Sequence, residues 1–314
     1  MELIRGLNNL HSCNLRSGNQ GCVATIGNFD GVHLGHQHVL TQLADKAKAF
    51  GCPCTVITFE PQPLEYFAPQ SAPARLMRLR DKVRALQRQE VDRLLCLRFN
   101  QSLANMPYQD FIEQVLVNGL GVRYLVVGDD FRFGKNREGT FKHLIEAGEK
   151  YNFEVVNMPT FNVEGERVSS TRIRKALEAG QFEKAETMLG QYYKMTGRVV
   201  HGEKLGRELG FPTANINIHR KVTPLHGIYV VKVFDLNGRL IEGVASIGTR
   251  PTVKGKNVIL EVFLFDFNET IYGKQLEVNF LKKLRDELSF DSLEALKDQI
   301  AIDVKQAKQF FVNA

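Results

Sequence analysis

"TIGNFDGVHLGHQHVL", residues 25–40, decides how the first half of the chain is read. It sets three glycines and three histidines beside one Asp and one Asn. Before it, "GCVATIGNF" (21–29) is a short apolar run with strand character. After it, "QHVLTQLADKAKAF" (37–50) repeats Val39, Leu40, Leu43, Ala44 and Ala47 at helical spacing. A strand that ends in a Gly-rich turn and opens a helix leaves backbone N–H groups unpaired, and the helix dipole adds partial positive charge there. The product is an anion site suited to phosphate. Gly27, Gly31 and Gly35 permit tight turning and close ligand approach. His33 and His36 can donate hydrogen bonds to phosphate oxygens and stabilise charge developing on them. The alternatives are capping or surface histidines, or a metal site for which Asp30 is the nearest carboxylate.

The same alternation of strand and helix continues outward. "CTVITF" (54–59), "RLLCLRF" (93–99), "RYLVVG" (123–128) and "FEVVNMP" (153–159) are strand-like. Helical stretches lie near 75–90, 108–118 and 140–150, and "RLMRLRDKVRALQR" (75–88) reads as a solvated, basic helix face. This pattern predicts βαβ units and a parallel sheet. Two helices follow, "STRIRKALEAG" (170–180) and "FEKAETMLG" (182–190). The texture then changes to strand-rich segments with turn signals such as Asn237-Gly238, closing on a helix over 292–311. The expectation is two domains, 1–186 of α/β class and 187–314 mostly β, an antiparallel barrel or sandwich with a C-terminal helix.

With 314 residues, two domains are a natural size. The net charge of +6 is mild and lacks the concentrated basic stripe of a nucleic-acid binder. No stretch approaches the ~20 apolar residues of a membrane span, and the first residues lack a signal-peptide core. The five cysteines have no framework spacing, which fits free thiols in a reducing cytoplasm.

Four further stretches carry chemistry. "SSTRIR" (169–174) puts the hydroxyls of Ser170 and Thr171 and the donor fork of Arg174 at a helix start. "VVGDDFRFGKNREGT" (126–140) mixes Phe131 and Phe133 with Arg132, Lys135, Asn136 and Arg137, either aromatics for a planar ring beside bases for phosphate or a charged loop anchored by two phenylalanines. In "GFPTAN" (210–215), Pro212 keeps Phe211 extended. Thr213 and Asn215 then point the same way, as hard oxygen ligands for Mg²⁺ carrying ATP phosphates. In "NVILEVFLFDF" (257–267), Glu261 is the one charge between Val258 and Phe265. Burial in such a strand pushes a carboxyl pKa upward, towards general-base duty; the competing reading is a Glu on the open face of a barrel. "GEKLGRELG" (202–210), with Gly202, Lys204, Gly206, Arg207 and Gly210, has the composition of a phosphate-covering flap but is not a P-loop.

The His-x-Gly-His turn together with "SSTRIR" resembles the nucleotidyltransferase superfamily. The aminoacyl-tRNA synthetases of that superfamily need a second Lys that "YKMTGR" (193–198) lacks. "GNFDGVHLGH", "FEPQP", "GDDFRFG" and "SSTRIR", in this order, resemble the FAD synthetase domain of the bacterial bifunctional riboflavin kinase/FAD synthetases. "GRVVHGEKLGRELGFPTANI" (197–216), "HGIYVV" (226–231), "GVASIGTRPTV" (243–253) and "LEVFLFDF" (260–267) resemble their kinase domain, so the likeness spans nearly the whole chain. Leu34 departs from it, standing where many relatives carry a basic residue.

The resemblance implies a nucleotidyltransferase-like, Rossmann-like first domain and a six-stranded riboflavin-kinase-like barrel. It implies transfer of the ATP γ-phosphoryl group to riboflavin, giving FMN and ADP, with Glu261 as base and Mg²⁺ at Thr213 and Asn215. FMN would then attack the α-phosphorus of a second ATP, giving FAD and pyrophosphate. ATP in that step is assigned to Gly27, Asn28, Phe29, Asp30, Gly31, His33, His36, Ser170, Thr171 and Arg174. FMN is assigned to Asp130, Phe131, Arg132, Phe133 and Asn136. Kinase ATP is assigned to Gly202, Lys204, Gly206, Arg207, Gly210, Phe211, Pro212, Thr213 and Asn215. The partners implied are riboflavin, FMN, ATP and FAD, with neither nucleic acid nor membrane, in the cytoplasm; the oligomeric state is left open, a monomer among the options. The rival readings are another small-molecule adenylyltransferase, which leaves the "GFPTAN" half without a task, or a non-catalytic flavin-binding protein.

Overall fold

In the first half, short apolar runs fold into β1 (Glu2–Arg5), β2 (Cys22–Ile26), β3 (Cys54–Glu60), β4 (Arg93–Arg98), β5 (Val122–Val127) and β6 (Glu154–Asn157). The structure, a computed structural model, describes residues 1–10, 21–158, 160–202, 205–234, 238–252 and 255–313. All six strands are parallel, in the order β1-β4-β3-β2-β5-β6. β2 is buried along its whole length, as a strand covered on both faces must be. From β2 the chain steps to β3 and β4 on one side, then crosses to β5 and β6 on the other. The carboxyl ends of β2 and β5 therefore flank a topological switch point, where ligands bind in such sheets.

α1 (Leu34–Phe50) joins β2 to β3, and α2 (Leu79–Gln87) joins β3 to β4. Both crossovers step in the same direction, so right-handed connection puts both helices on one face of the sheet. α3 (Phe141–Tyr151) steps the opposite way, and its Leu144 and Ala147 pack on the other face with Ala24, Ile26, Ile57 and Leu125. A hairpin of β7 (Asn162–Val163) and β8 (Glu166–Arg167) follows.

The basic run 75–88 is a solvated face at Arg80, Arg84 and Arg88, but not at Lys82. Lys82 is 0% exposed and shares the buried stripe of α2 with Leu86. The two lie one turn apart, so the stripe facing the sheet includes both. Ala74–Met77 groups by contacts with the second half of the chain: the two compact units are Met1–Pro73 with Arg78–Val168, and Ala74–Met77 with Ser169–Ala314.

The second unit opens with α4 (Ser170–Glu178) and α5 (Phe182–Leu189). β9 (Tyr193–Val200), β10 (Thr213–Asn217), β11 (Gly227–Phe234), β12 (Leu240–Thr252), β13 (Gly255–Leu264) and β14 (Gln275–Arg285) then close an antiparallel barrel in the order β10-β13-β12-β11-β14-β9. Asn237 of the expected turn lies outside the described residues. Arg220 is buried and donates to the carbonyls of Arg75 at 2.7 Å and Leu76 at 3.0 Å, and to the Tyr193 hydroxyl at 2.9 Å. These bonds tie Ala74–Met77 into this unit.

The chain ends in α6 (Leu293–Asn313), which packs on β11, β12 and β14. Arg285 holds it through a fork to Asp303, Nε to Oδ1 at 2.9 Å and Nη2 to Oδ2 at 2.7 Å, and Gln299 adds a third bond at 3.0 Å. Asp303 is buried, so removing its carboxylate strands a largely covered guanidinium. Asp303→Ala is expected to destabilise this unit by about 3 kcal/mol, read as a lower urea midpoint for its unfolding; an unchanged midpoint would show that apolar packing alone seats α6.

Candidate active sites

Beyond β2 the backbone turns sharply. Phe29 and Val32 both take positive φ, 46° and 40°, with Gly31 between them at 88°. His33 then caps α1: its Nδ1 accepts the His36 backbone N–H at 3.3 Å. The helix thus begins at Leu34, earlier than apolar spacing suggests, and His36 sits in its first turn. The His33 and His36 rings stack with centroids 3.6 Å apart and planes 13° apart. Phe29 closes the other side of His36 at 4.8 Å. A Cβ on Gly35 would stand 3.3 Å from His33 Nδ1 and 3.6 Å from Phe161, so a larger residue would press on the stacked ring.

His36 Nδ1 is buried and has no hydrogen-bond partner among the described residues. Burial holds the His36 pKa well below the ordinary imidazole value, and the neighbouring His33 and Lys82 push it the same way. This imidazole is neutral at physiological pH, a hydrogen-bonding group rather than a cation.

Gly27 and Asn28 also border a cleft of about 980 Å³ in the same unit. Asp130, Phe131, Arg132, Phe133 and Asn136, from the loop after β5, line it as well. Phe131 and Phe133 stack on each other at 5.4 Å, and Phe133 is wedged into the core against Phe111 at 5.5 Å. A second aromatic wall is one that sequence reasoning missed. Tyr66, Phe67 and Phe99 meet edge to face with centroids 5.3 to 5.5 Å apart, and Phe67 is 63% exposed. "EPQPLEYF" (60–67) held that signal, a short aromatic turn after two prolines.

In "SSTRIR", Ser169 supplies the cap of α4, accepting from the Arg172 N–H at 3.3 Å. Ser170 and Thr171 occupy the first turn of the helix, and Arg174 Nε donates to the Ala74 carbonyl at 2.5 Å.

On the barrel, β13 alternates. Val258, Leu260, Val262 and Leu264 are buried in the barrel, while Glu261 and Phe263 are half-buried on its outer face. Glu261 therefore does not lie inside the apolar strand core; it stands on the face between the barrel and α6. Register sets Asn215 of β10 and Ser246 of β12 directly opposite Glu261 on its two sides, with Thr213 opposite Phe263. Gly206, Phe211, Thr213, Asn215, Ser246 and Glu261 line one cleft of about 280 Å³, with Ile300 and Val304 of α6 on its apolar side. A Cβ on Gly202 would collide with the Asn215 carboxamide, and one on Gly206 would stand 3.2 Å from Thr213 Oγ1. The Gly-rich loop therefore lies against the two oxygen-bearing residues. Arg207 and Pro212 border a neighbouring cleft of about 160 Å³ that shares Thr213, and Gly210 turns the chain at φ 90°. Lys204 lies outside the described residues. Among the described residues no group of three or more His, Cys, Asp or Glu is arranged to hold a metal.

The depressed His36 pKa links stability to pH. The unfolded chain takes up this proton near the ordinary value of about 6.5, before the folded chain does. The contribution is complete above that pH and is lost as pH falls below it. Denaturation midpoints of the first unit should decline from about pH 6.5 downward, and His36→Gln should flatten that slope. An equal slope in the variant would place the linkage elsewhere.

Comparison with known proteins adds an independent line. The FAD synthetase family model matches residues 15–172, and the riboflavin kinase family model matches residues 189–311. A bifunctional riboflavin kinase/FMN adenylyltransferase of Haemophilus influenzae is 49% identical over 311 residues, covering 99% of each chain. The protein of that name from Escherichia coli is 48% identical, covering 99% of this chain and 98% of its own. A crystal structure described as a macrolide-efflux protein from Streptococcus pneumoniae matches with TM-score 0.79 and 30% identity, covering 96% of this chain and 97% of that one. Among the described residues no helix is long and apolar enough to cross a membrane. Two family models in sequence order, and relatives almost half identical from end to end, have one consequence: the chain belongs to the bifunctional riboflavin kinase/FMN adenylyltransferase family.

Proposed function

We propose that the chain makes FMN from riboflavin in the barrel cleft and FAD from FMN in the α/β unit, using one ATP for each step. The observation that carries this reading is the barrel register, which sets Asn215, Glu261 and Ser246 side by side on a ligand-sized cleft. Glu261 accepts the proton of the riboflavin 5′-hydroxyl as that oxygen attacks the γ-phosphorus, and ADP leaves. The hydroxyl of Thr213 and the carboxamide oxygen of Asn215 are a hard-oxygen donor set that fits Mg²⁺. Bound there, the ion would neutralise charge on the ATP phosphates. Phosphoryl transfer of this kind needs positioning and charge neutralisation more than covalent chemistry.

In the second reaction the FMN phosphate attacks the α-phosphorus of ATP and pyrophosphate leaves, with no covalent intermediate. His33, His36 and the start of α1 stabilise the charge that develops on the phosphates. The cleft at Asn28, Asp130 and Asn136 takes the flavin, whose planar ring stacks on the exposed aromatics at Tyr66 and Phe67.

Two losses should separate. His36→Ala is expected to cut FAD formation about a hundredfold while FMN formation persists. Glu261→Ala should cut riboflavin phosphorylation about a hundredfold or more yet still convert supplied FMN to FAD. Chromatography of reactions with riboflavin or FMN, ATP and Mg²⁺ reads both. Loss of both activities in each folded variant would refute the two-site assignment. Phe67→Ala should raise the KM for FMN about tenfold with kcat little changed; an unchanged KM would move the flavin ring elsewhere.

A further inference from the structure

The fully buried Lys82 is absent from every role assigned above. The helix that carries it is otherwise polar towards solvent, with Arg80, Arg84 and Gln87 exposed. A buried ammonium needs partners within the fold, and Lys82 has them.

Its position in the fold ties it to the histidine turn as well. α1 and α2 share one face of the sheet, and each starts at the carboxyl edge from which its strand emerged. His36 is in the first turn of α1 and Lys82 in the first turn of α2. The strands beneath supply a polar floor. Strand alternation puts Thr25 and Thr58 on this face, because Ala24 and Ile26 point to the other, and Thr25 pairs with Val56. The hydroxyls of Thr25 and Thr58 are buried without hydrogen-bond partners among the described residues, as are His36 Nδ1 and, just beyond β3, Gln62 Nε2. Unpartnered buried polar atoms are rare in folded proteins. Here they gather at the carboxyl edge of β2 and β3, beside the stacked histidines.

We infer that Lys82 is a positioning residue for adenylyl transfer, a cation built into the fold that fixes how His36 presents its ring to the triphosphate. The inference rests on the assignment of the histidine turn to that reaction. The ammonium supplies positive charge that the neutral His36 ring does not, and it disfavours the imidazolium form of that ring. The groups whose charge reaches His36 are His33, from its own turn, and Lys82, from α2. Asp30 is buried in the same turn. With the cation in place, the ring keeps one proton and one donor direction across the working pH range.

The test uses the full chain with Lys82→Met, which keeps length and removes charge, and Lys82→Arg, which keeps charge. Proton NMR of the histidine Cε1–H signals, with His36→Gln to assign the resonance, reads the His36 titration directly. In Lys82→Met the His36 midpoint should rise, and kcat/KM for FAD formation should fall about tenfold with a new inflection between about pH 5 and 7. Phosphorylation of riboflavin by the same molecules should stay within about twofold. Lys82→Arg should restore the low midpoint and most of the FAD formation. An unchanged His36 midpoint in folded Lys82→Met overturns the inference whatever the activity. If Lys82→Met fails to fold, Lys82→Arg decides: a His36 that titrates in the ordinary range despite the retained cation overturns it. Normal FAD formation in His36→Ala would instead refute the assignment of the turn, an outcome distinguishable from failure at Lys82.

Discussion

The turn between β2 and α1 holds two residues with side chains at positive φ, Phe29 and the β-branched Val32. Each such conformation costs on the order of 1–3 kcal/mol. Both side chains are buried, 1% and 2% exposed, and burying an apolar side chain contributes about 1.5–3 kcal/mol. The two terms are of one size, so the turn persists because its side chains are seated in the core. A looser turn would let His33 leave its capping position, and the stack with His36 would go with it. The switch-point topology matters for the same reason. β2 is clamped between β3 and β5, so the residues after Ile26 leave a fixed edge.

The barrel solves a different problem with the period of two. A closed sheet must fill its interior with apolar side chains, and β13 gives Val258, Leu260, Val262 and Leu264 to that task. The odd-numbered residues between them are left for the outside, where α6 converts an open surface into a sheltered cleft. Because cross-strand partners share a face, groups from β10, β12 and β13 converge on Glu261 without any loop having to place them. The Arg285–Asp303 fork keeps the helical wall of that cleft at a set distance.

Much of this was legible in the sequence. The alternation of apolar strands and helical stretches was enough for the parallel sheet, since that pattern needs no knowledge of neighbours. Thr213 and Asn215 share a face because Pro212 forces extension locally. What escaped depended on tertiary context. The segment around Lys82 has the composition of a solvated helix, and only the sheet beneath α2 makes that position an interior one. A carboxylate flanked by apolar residues reads as buried, yet Glu261 faces outward because in a barrel the odd and even positions have different surroundings. The aromatic wall of Tyr66, Phe67 and Phe99 joins the short helix Pro63–Phe67 to a residue more than thirty positions on, and their exposure has no one-dimensional signature.

The two proposed reactions ask opposite things of their sites. A hydroxyl nucleophile must lose a proton as it attacks, so the barrel needs a base, and a carboxylate with hydroxyl and amide neighbours supplies one. A phosphate monoester has a second pKa near 6 and is already ionised at neutral pH, so the α/β site has no proton to remove. Its difficulty is electrostatic, because a dianion must approach a polyanion. A histidine that titrated near neutrality would meet that need only part of the time. A depressed imidazole and a buried lysine separate the two duties: the ammonium carries the charge, and the His36 ring keeps a constant hydrogen-bonding geometry.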